Sequence, residues 1–210
     1  MSNERQLLSE LLRPQQLSDL TLPQKEIDRL QKMIDSGNIM NMIFYGPPGL
    51  GKTSAARVIG DTANVTFVEV NAASILGPKD LRRDMEGFAT SMPMFGNSKL
   101  CLFDEADYIS KQVQASLRHL VESTSDNCRF LFTANDIRRI TEALRSRLKH
   151  ISFDISSVDK SAVIERLVAR YETKLGELGI QYEPQRLREL VGIYFPDLRS
   201  IANNVEFEFA

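Results

Sequence analysis

Up to Phe153, short apolar runs alternate along the chain with longer segments in which hydrophobic residues recur at helical spacing. The runs are almost continuously apolar, which is typical of strands buried on both faces of a parallel sheet. Strands that alternate with helices indicate an α/β fold, because each helix crosses one face of the sheet to reach the next parallel strand. The five predicted strands span residues 41–45, 65–70, 99–103, 129–133 and 149–153.

The segments between and after these strands predict helices. Residues 54–63 and 111–122 place apolar side chains at helical spacing. After Phe153 the chain has two amphipathic helical patterns, 155–171 and 186–195, and no further strand pattern. We therefore expect an α/β domain over residues 1–154, in which a polar N-terminal stretch comes before a five-stranded parallel sheet between helices. A small α-helical domain should follow over residues 155–210.

Composition narrows the class of protein. Of 210 residues, 26 are Lys or Arg and 28 are Asp or Glu, so the net charge is −2 and a polyanion would have to meet a local basic patch. Only Cys101 and Cys128 occur, both in apolar runs, which excludes a disulfide framework and a four-thiolate zinc site. No apolar run approaches the roughly 20 residues of a membrane span, and the first ten residues are too polar for a secretory signal. We expect a reduced, soluble, cytoplasmic protein.

Directly after the first predicted strand lies a phosphate-loop pattern that opens a helix. Its residues are Gly46, Pro47, Pro48, Gly49, Leu50, Gly51, Lys52 and Thr53, followed by Ser54. Glycines allow the backbone N–H groups to converge on phosphate oxygens, and the helix adds its positive dipole end. In this pattern Lys52 pairs with the β- and γ-phosphates, and Thr53 offers its hydroxyl to Mg²⁺.

The third predicted strand ends in Asp104 and Glu105. At the carboxyl end of a parallel strand, Asp104 is placed to hold magnesium through water, and Glu105 to orient or deprotonate the attacking water. The alternative is that both carboxylates only solvate a strand end. Residues 104–107 also spell the Asp-Glu-Ala-Asp tetrapeptide of a helicase superfamily, but such helicases need a second sheet domain, and the chain after Phe153 is too short and too helical for one.

Several polar residues follow other predicted elements. A fourth strand inserted between the two nucleotide-binding strands would bring Asn135 beside the γ-phosphate, although an asparagine also suits an ordinary turn. Asn71 follows the second strand and could hydrogen-bond Glu105. Arg147, before the fifth strand, is placed to reach a neighbour's nucleotide, and Arg199 begins the last helical segment. Both arginines also fit a solvated surface.

Taken in order, these motifs resemble those of the AAA+ ATPases, and specifically the ATPase subunits of sliding-clamp loaders. The resemblance covers nearly the whole chain. Further matching segments are residues 12–20, 70–74 (Val-Asn-Ala-Ala-Ser), 114–122 (Gln-Ala-Ser-Leu-Arg-His-Leu-Val-Glu) and 196–199 (Pro-Asp-Leu-Arg). Leu148 stands where the small subunits of replication factor C usually carry cysteine. Pro196 replaces the commoner glycine of the lid motif, as in phage-type loaders.

The resemblance implies an ATPase that binds ATP and Mg²⁺ between the sheet domain and a helical lid. It implies that Arg13 and Pro14 pack against adenine, that Asn135 and Arg199 act at the phosphates, and that Arg147 completes the site of an adjacent subunit. The implied partners are other clamp-loader subunits, a sliding clamp and primer-template DNA, with no membrane. The family's third, helical collar domain would begin where residue 210 ends, and we expect this chain to lack it.

In such an assembly, DNA is held mainly through its phosphates, so exposed basic residues should face it. The candidates are Lys79, Arg82, Arg83 and Lys111, each of which also fits a solvated helix face. Two other functions remain open. One is a different DNA-linked AAA+ remodeller, such as a Holliday-junction motor or a replication-restart factor; the other is a nucleotide-gated assembly module without turnover.

Overall fold

A five-stranded parallel sheet forms the centre of the protein. The computed structural model describes residues 8–92, 98–155 and 157–209. The strands are β1 (Met42–Tyr45), β2 (Thr66–Asn71), β3 (Lys99–Asp104), β4 (Cys128–Ala134) and β5 (Lys149–Ser152). Their order across the sheet is β2-β3-β4-β1-β5. All five predicted strands are confirmed, with bounds that differ from the predicted ones by one residue at most.

Helices connect the strands and continue after the sheet. They are α1 (Leu8–Leu11), α2 (Gln24–Asp35), α3 (Lys52–Thr62), α4 (Pro78–Leu81), α5 (Gly87–Thr90), α6 (Lys111–Ser123), α7 (Glu142–Arg145), α8 (Ser157–Glu177), α9 (Pro184–Tyr194) and α10 (Leu198–Phe209). The predicted helices correspond to α3, α6, α8 and α9, and the last helical segment, which Arg199 begins, corresponds to α10. Helix α8 continues to Glu177 instead of ending at Tyr171. None of the described helices is long and apolar enough to cross a membrane.

Side chains of the strands point alternately to two apolar clusters, one on each face of the sheet. On one face, Met42 and Leu102 pack with residues of α2 and α3. On the other face, Ile43 and Phe103 pack with residues of α6. Phe103 also stacks on Phe132 of the neighbouring strand, with ring centroids 5.3 Å apart. Burial on both faces explains why the strand sequences are almost continuously apolar.

The polar stretch before β1 contains a helix that we did not predict. Ile27, Leu30 and Met33 of α2 are buried against the sheet, whereas most of its other side chains are exposed. Residues three apart lie on the same face of a helix. This spacing was therefore the signal that could have predicted α2 within a mostly polar segment.

Helices α8, α9 and α10 enclose an apolar cluster of their own. Leu12 of the N-terminal segment, which we define as residues 8–23, contributes to this cluster. Arg170 of α8 donates hydrogen bonds to the carbonyl oxygens of Leu12 and Asp19. These bonds hold the N-terminal segment between the sheet and the C-terminal helices. The division into two domains at residue 154 stays a prediction.

Candidate functional site

The carboxyl ends of β1, β3 and β4 meet at one edge of the sheet, because these neighbouring strands are parallel. Strand β4 pairs with β1 on one side and with β3 on the other. Asn135 therefore leaves the sheet between the loop that follows Tyr45 and the carboxylate of Asp104. The predicted insertion of the fourth strand between the other two is confirmed.

The loop after β1 depends on glycine for its conformation and for space. Gly49 and Gly51 both have a φ of +80°, a backbone conformation that residues other than glycine rarely adopt. A Cβ at Gly49 would lie 2.3 Å from Oδ1 of Asp197. The backbone N–H of Leu198 donates to the Gly49 carbonyl at 3.0 Å. The loop thus contacts the start of α10 directly.

Lys52, the first residue of α3, is buried and fully hydrogen-bonded. Its ammonium Nζ donates to the carbonyl oxygens of Gly46 and Pro47, both at 2.8 Å, and to Oδ1 of Asn135 at 2.9 Å. An ammonium has three N–H groups, so each has an acceptor. Burial lowers the pKa of Lys52, while the nearby carboxylates of Asp107 and Asp104 oppose that shift.

Two threonine hydroxyls converge on one oxygen of Asp104. Thr53 Oγ1 donates to Asp104 Oδ1 at 2.8 Å, and the hydroxyl of Thr133 donates to the same oxygen. The backbone N–H of Glu105 in turn donates to Thr133 Oγ1 at 2.9 Å. Thr133 therefore connects the two acidic residues. We did not predict this role of Thr133 from the sequence, because a threonine at a strand end belongs to no recognisable motif.

Thr53 and Asp104 fit a magnesium ion by their chemistry. Both supply oxygen donors, and Mg²⁺ is commonly held by one or two protein groups together with phosphate oxygens and water. In the described part of the chain, no group of three or more acidic, histidine or cysteine side chains could hold a metal ion. A magnesium site here therefore depends on ligand oxygens as well as on these two residues.

Asp107 fixes the start of the loop after β4. It is buried, and its Oδ2 accepts hydrogen bonds from the backbone N–H groups of Asn135, at 3.2 Å, and Asp136, at 3.4 Å. Its Oδ1 is buried and accepts no hydrogen bond from the described residues. Asp107 therefore positions the backbone of Asn135, a role that the tetrapeptide at residues 104–107 did not suggest.

Lys52, Asp104 and Asn135 line a cavity of about 500 Å³ between the sheet edge, the N-terminal segment, α8 and α10. The predicted site residues that line it are Arg13, Pro14, Pro48, Gly49, Gly51, Lys52, Thr53, Ser54, Asp104, Glu105, Asn135 and Arg199. Gly46, Pro47, Leu50 and Arg147 do not line it. The side chain of Leu50 is buried in the apolar cluster beneath the loop, and the predicted contact of Leu50 with the nucleotide stays a prediction.

Other cavity residues come from helix faces that no motif marks. Arg57 of α3 lines the cavity and donates two hydrogen bonds to Glu69 of β2, at 2.8 and 2.7 Å. Arg170 and Tyr171 of α8 form part of the opposite wall. The orientation of these helices depends on tertiary packing, so their contribution could not be derived from local sequence.

The two predicted functional arginines occupy different places. Arg199 lies at the start of α10 and lines the cavity, and its guanidinium has no hydrogen bond or ion pair with any described residue. Arg147 lies at the surface between α7 and β5. Its Nε donates to Glu122, and its Nη1 donates to the carbonyl of Ala143 at 2.5 Å.

Asn71 does not hydrogen-bond Glu105, contrary to our expectation. Its side-chain Oδ1 accepts from the backbone N–H of Ala73 at 2.9 Å. Asn71 precedes a short 3₁₀ turn, residues Ala72–Ser74, and an asparagine in that position satisfies a free N–H group of the turn.

Comparison with known proteins gives sequence relatives along nearly the whole chain. The replication factor C small subunit of Saccharolobus solfataricus is 32% identical over 206 residues, which are 95% of this chain and 61% of the relative. That of Archaeoglobus fulgidus is 31% identical over 203 residues, covering 94% and 62%. This chain therefore spans less than two thirds of the length of these relatives.

Solved structures share the fold at lower identity. RuvB from Thermotoga maritima, described as a Holliday junction branch migration motor, has a TM-score of 0.64 at 17% identity and is matched over 94% of this chain and 73% of its own. A variant of that RuvB has a TM-score of 0.73 at 18% identity, covering 94% and 64%. At such identity the likeness shows the fold alone.

The family follows from a match over the sheet region. Residues 42–154, more than half of the chain, match the family described as "ATPase family associated with various cellular activities (AAA)". That range includes the loop after β1, the acidic end of β3 and the end of β4. On this match, the chain belongs to the AAA ATPase family.

Proposed function

We propose that this chain binds ATP with Mg²⁺ in the cavity and hydrolyses the ATP. The observation that carries the proposal is the meeting of Lys52, Thr53, Asp104 and Asn135 at one sheet edge. Thr53 Oγ1 lies 2.8 Å from Asp104 Oδ1, and Lys52 Nζ lies 2.9 Å from Asn135 Oδ1. Phosphoryl transfer needs a cation for the phosphates, oxygen ligands for magnesium and a group that orients water. This cluster contains all three.

Phosphate binding requires a change of partner at Lys52, because all three of its N–H groups already donate. Two of the acceptors, the carbonyls of Gly46 and Pro47, belong to the loop itself. The third, Asn135, belongs to a different strand. We propose that a phosphate oxygen replaces Asn135 as the third acceptor, which frees the amide of Asn135 to orient the attacking water.

Thr53 and Asp104 would hold Mg²⁺, Thr53 through its hydroxyl and Asp104 through water. When bound, Mg²⁺ neutralises charge on the β- and γ-phosphate oxygens. Thr133 keeps the Asp104 carboxylate oriented by donating to it. The carboxylate of Glu105 accepts no hydrogen bond from the described residues, so it is available to take a proton from the attacking water as a general base.

The other walls of the cavity would hold the rest of the nucleotide. Arg13 and Pro14 lie in the N-terminal segment, for which the family resemblance implies contact with adenine, and Arg199 would donate to the phosphates from the start of α10. We propose that residues 1–154 form the nucleotide-binding domain and residues 155–210 the lid. The hydrogen bond from Leu198 to Gly49 couples the lid to the phosphate loop.

Arg147 would act on the ATP of an adjacent subunit. It does not line the cavity of its own chain, and it lies at the surface, where a second subunit can approach. A cationic side chain supplied in trans stabilises charge in the transition state of phosphoryl transfer, with effects of about 10³-fold or more. Hydrolysis would therefore depend on assembly.

We propose that the assembly is a sliding-clamp loader, with other clamp-loader subunits, a sliding clamp and primer-template DNA as partners. The small-subunit relatives of replication factor C, at 32% and 31% identity, support this proposal. Lys79 and Lys111 are both exposed, and their helices α4 and α6 pack against each other, so both residues lie on the same side of the sheet. Arg83 is also exposed and pairs with Asp80 at 3.5 Å. The side chain of Arg82 lies outside the described part of the chain.

The test is ATP turnover by the full-length subunit assembled with its partners, with and without primer-template DNA and sliding clamp. We expect the two ligands together to stimulate turnover and Lys52→Ala to abolish it. Lys25→Ala is the matched control, because Lys25 is an exposed lysine of α2 outside the cavity. Stimulation by a four-way junction without clamp would instead favour a branch-migration function. Nucleotide binding without turnover under every condition would favour an assembly module.

A further inference from the structure

We infer that Glu122 is a positioning residue for Arg147. Its carboxylate holds the Arg147 guanidinium in place to reach the ATP of an adjacent subunit. The inference rests on the proposed trans role of Arg147. It adds a residue that this role requires and that lies outside the nucleotide cavity of its own chain.

Most of the donors of Arg147 are already engaged within the chain. Its Nε donates to Oε1 of Glu122, and its Nη1 donates to the carbonyl of Ala143 at 2.5 Å and to Oγ of Ser146 at 2.9 Å. Nη2 donates no hydrogen bond to any described residue. The guanidinium is therefore held along one side, and the two N–H groups of Nη2 remain for a ligand.

The backbone that carries Arg147 is fixed as well. Leu144 and Leu148, on either side, are buried in the apolar cluster beneath the sheet. The backbone N–H of Arg147 donates to the carbonyl oxygen of Leu144 at 3.1 Å, and the backbone N–H of Leu148 donates to the carbonyl oxygen of Arg145 at 3.0 Å. An arginine has a long, flexible side chain, and holding it before assembly reduces the entropy lost when it binds phosphate. Glu122 supplies the charged part of that restraint.

Local helix preference does not explain the position of Glu122. It lies in the last turn of α6, which has no basic residue. The carboxyl end of a helix carries a partial negative charge, which disfavours a carboxylate there. The partner that offsets this is Arg147, 25 residues further along the chain.

An ordinary surface ion pair would have a different consequence. The side chains of Arg147 and Glu122 are 33% and 44% exposed, and pairs of this kind contribute little to folding stability. A positioning role therefore predicts a loss of turnover with almost no change in the free energy of unfolding, whereas an incidental pair predicts almost no change in either quantity.

The experiment is a double-mutant cycle in the assembled complex, with kcat and KM for ATP measured in the presence of DNA and clamp. Arg147→Ala should lower kcat by about 10³-fold or more. Glu122→Ala should lower kcat by about 10- to 100-fold with KM unchanged, because misplacing a catalytic group slows the chemical step. Glu122→Gln should lose less, since its amide oxygen still accepts from Nε. In the Arg147→Ala background, Glu122→Ala should have no further effect.

Glu142→Ala is the matched control, since Glu142 is an exposed glutamate of α7 whose carboxylate has no partner among the described residues. Light scattering and urea unfolding accompany each variant, and Glu122→Gln carries the test if Glu122→Ala fails to assemble. Full turnover by Arg147→Ala would reject the trans role itself. Loss in Arg147→Ala but not in either Glu122 variant would reject only the positioning role. An increase in turnover, or an equal loss with and without Arg147, would also overturn it.

Discussion

Lys52, Asp104 and Asn135 are each held by hydrogen bonds that cross between elements. Lys52 links the loop after β1 to the end of β4, and Asp104 accepts hydroxyl hydrogen bonds from α3 and from β4. These bonds set the distances between the groups before a nucleotide enters, and of them only the bond from Lys52 to Asn135 is proposed to exchange when phosphate binds. Such preorganisation matters because a donor that is already oriented requires no rearrangement at the moment of reaction.

Substituting Asn135 tests whether its amide serves hydrolysis more than binding. We expect Asn135→Ala to retain nucleotide affinity. The substitution removes an acceptor that competes with phosphate for Lys52, and it removes no group that binds phosphate. The hydrolysis rate should fall by about 10²-fold or more, as when a preorganised donor is removed from an active site. Binding of a fluorescent nucleotide and single-turnover hydrolysis measure the two effects.

The control for that experiment is Asn127→Ala, which makes the same substitution just before the opposite end of β4. Its side chain contacts the carbonyl of Thr90 and does not line the cavity. Weakened binding with an unchanged hydrolysis rate in Asn135→Ala would show that the proposed exchange of partners at Lys52 is wrong.

The sequence predicted the residues of the site that form local motifs. The phosphate loop and the acidic pair are recognisable because neighbouring residues supply the chemistry. Thr133 and Asp107 were not predicted, because each acts through a hydrogen bond to a different strand or loop. Arg170 was missed for a related reason, since it enters the wall only through the packing of α8.

At the scale of elements, the contact between the phosphate loop and α10 gives a second prediction. Gly49→Ala should lower the free energy of unfolding by about 1–2 kcal/mol, because a side chain at a φ of +80° is strained. The new Cβ would also displace Asp197, whose carboxylate caps the start of α10. Urea unfolding measures the stability, and nucleotide titration should show weaker binding.

Gly192→Ala is the opposite case for comparison. Gly192 lies within α9, and a Cβ there meets no atom within 4 Å. Alanine in a helix is more stable than glycine by about 0.5–1 kcal/mol, so this variant should gain stability. If both substitutions changed the free energy of unfolding equally, the proposed backbone strain at Gly49 would be contradicted.

The ion pair between α3 and β2 predicts a pH dependence of stability. Hydrogen bonds from Arg57 lower the pKa of Glu69 below its usual value of 4.5. The folded state therefore favours the ionised carboxylate, so this stabilisation is complete above about pH 4.5 and is lost as the pH falls through the lowered pKa. Glu69→Gln should lose less than about 1 kcal/mol at neutral pH, since the pair is partly exposed.

Urea unfolding of wild type and Glu69→Gln across this pH range gives the measurement, and the difference between them should disappear at the acid end. Asp61→Asn serves as the control, because Asp61 is an exposed carboxylate of the same helix without an ion pair among the described residues. A difference that persists unchanged in acid would rule out the ionised pair as its source.

Secondary structure could be predicted from the sequence where the buried apolar residues of an element follow a regular pattern. Strand β3 is apolar at every position from Leu100 to Phe103 because both faces of the sheet are covered, and such a run is visible within a single segment. Helix α2 was missed because its three buried residues, Ile27, Leu30 and Met33, are separated by polar ones. Its apolar stripe is narrow, and the polar composition around it dominates the local average.

At the scale of the whole molecule, the cavity exists only because distant segments meet. The N-terminal segment, the sheet edge and helices α8 and α10 each supply part of its wall. The sequence predicted that helices follow the sheet, but it did not predict which faces of those helices point to the cavity. That orientation comes from the apolar cluster around Leu187 and Ile201 and from the bonds of Arg170 to the N-terminal segment.

The measurement that tests the account most directly compares ATP affinity and stimulated turnover for the assembled wild-type complex and its Glu105→Gln variant. Glutamine keeps the size of the side chain but cannot accept the proton of the attacking water. We predict unchanged affinity and a loss of turnover of about 10²-fold or more, in the range ascribed to a general base. Undiminished hydrolysis by Glu105→Gln would contradict the account.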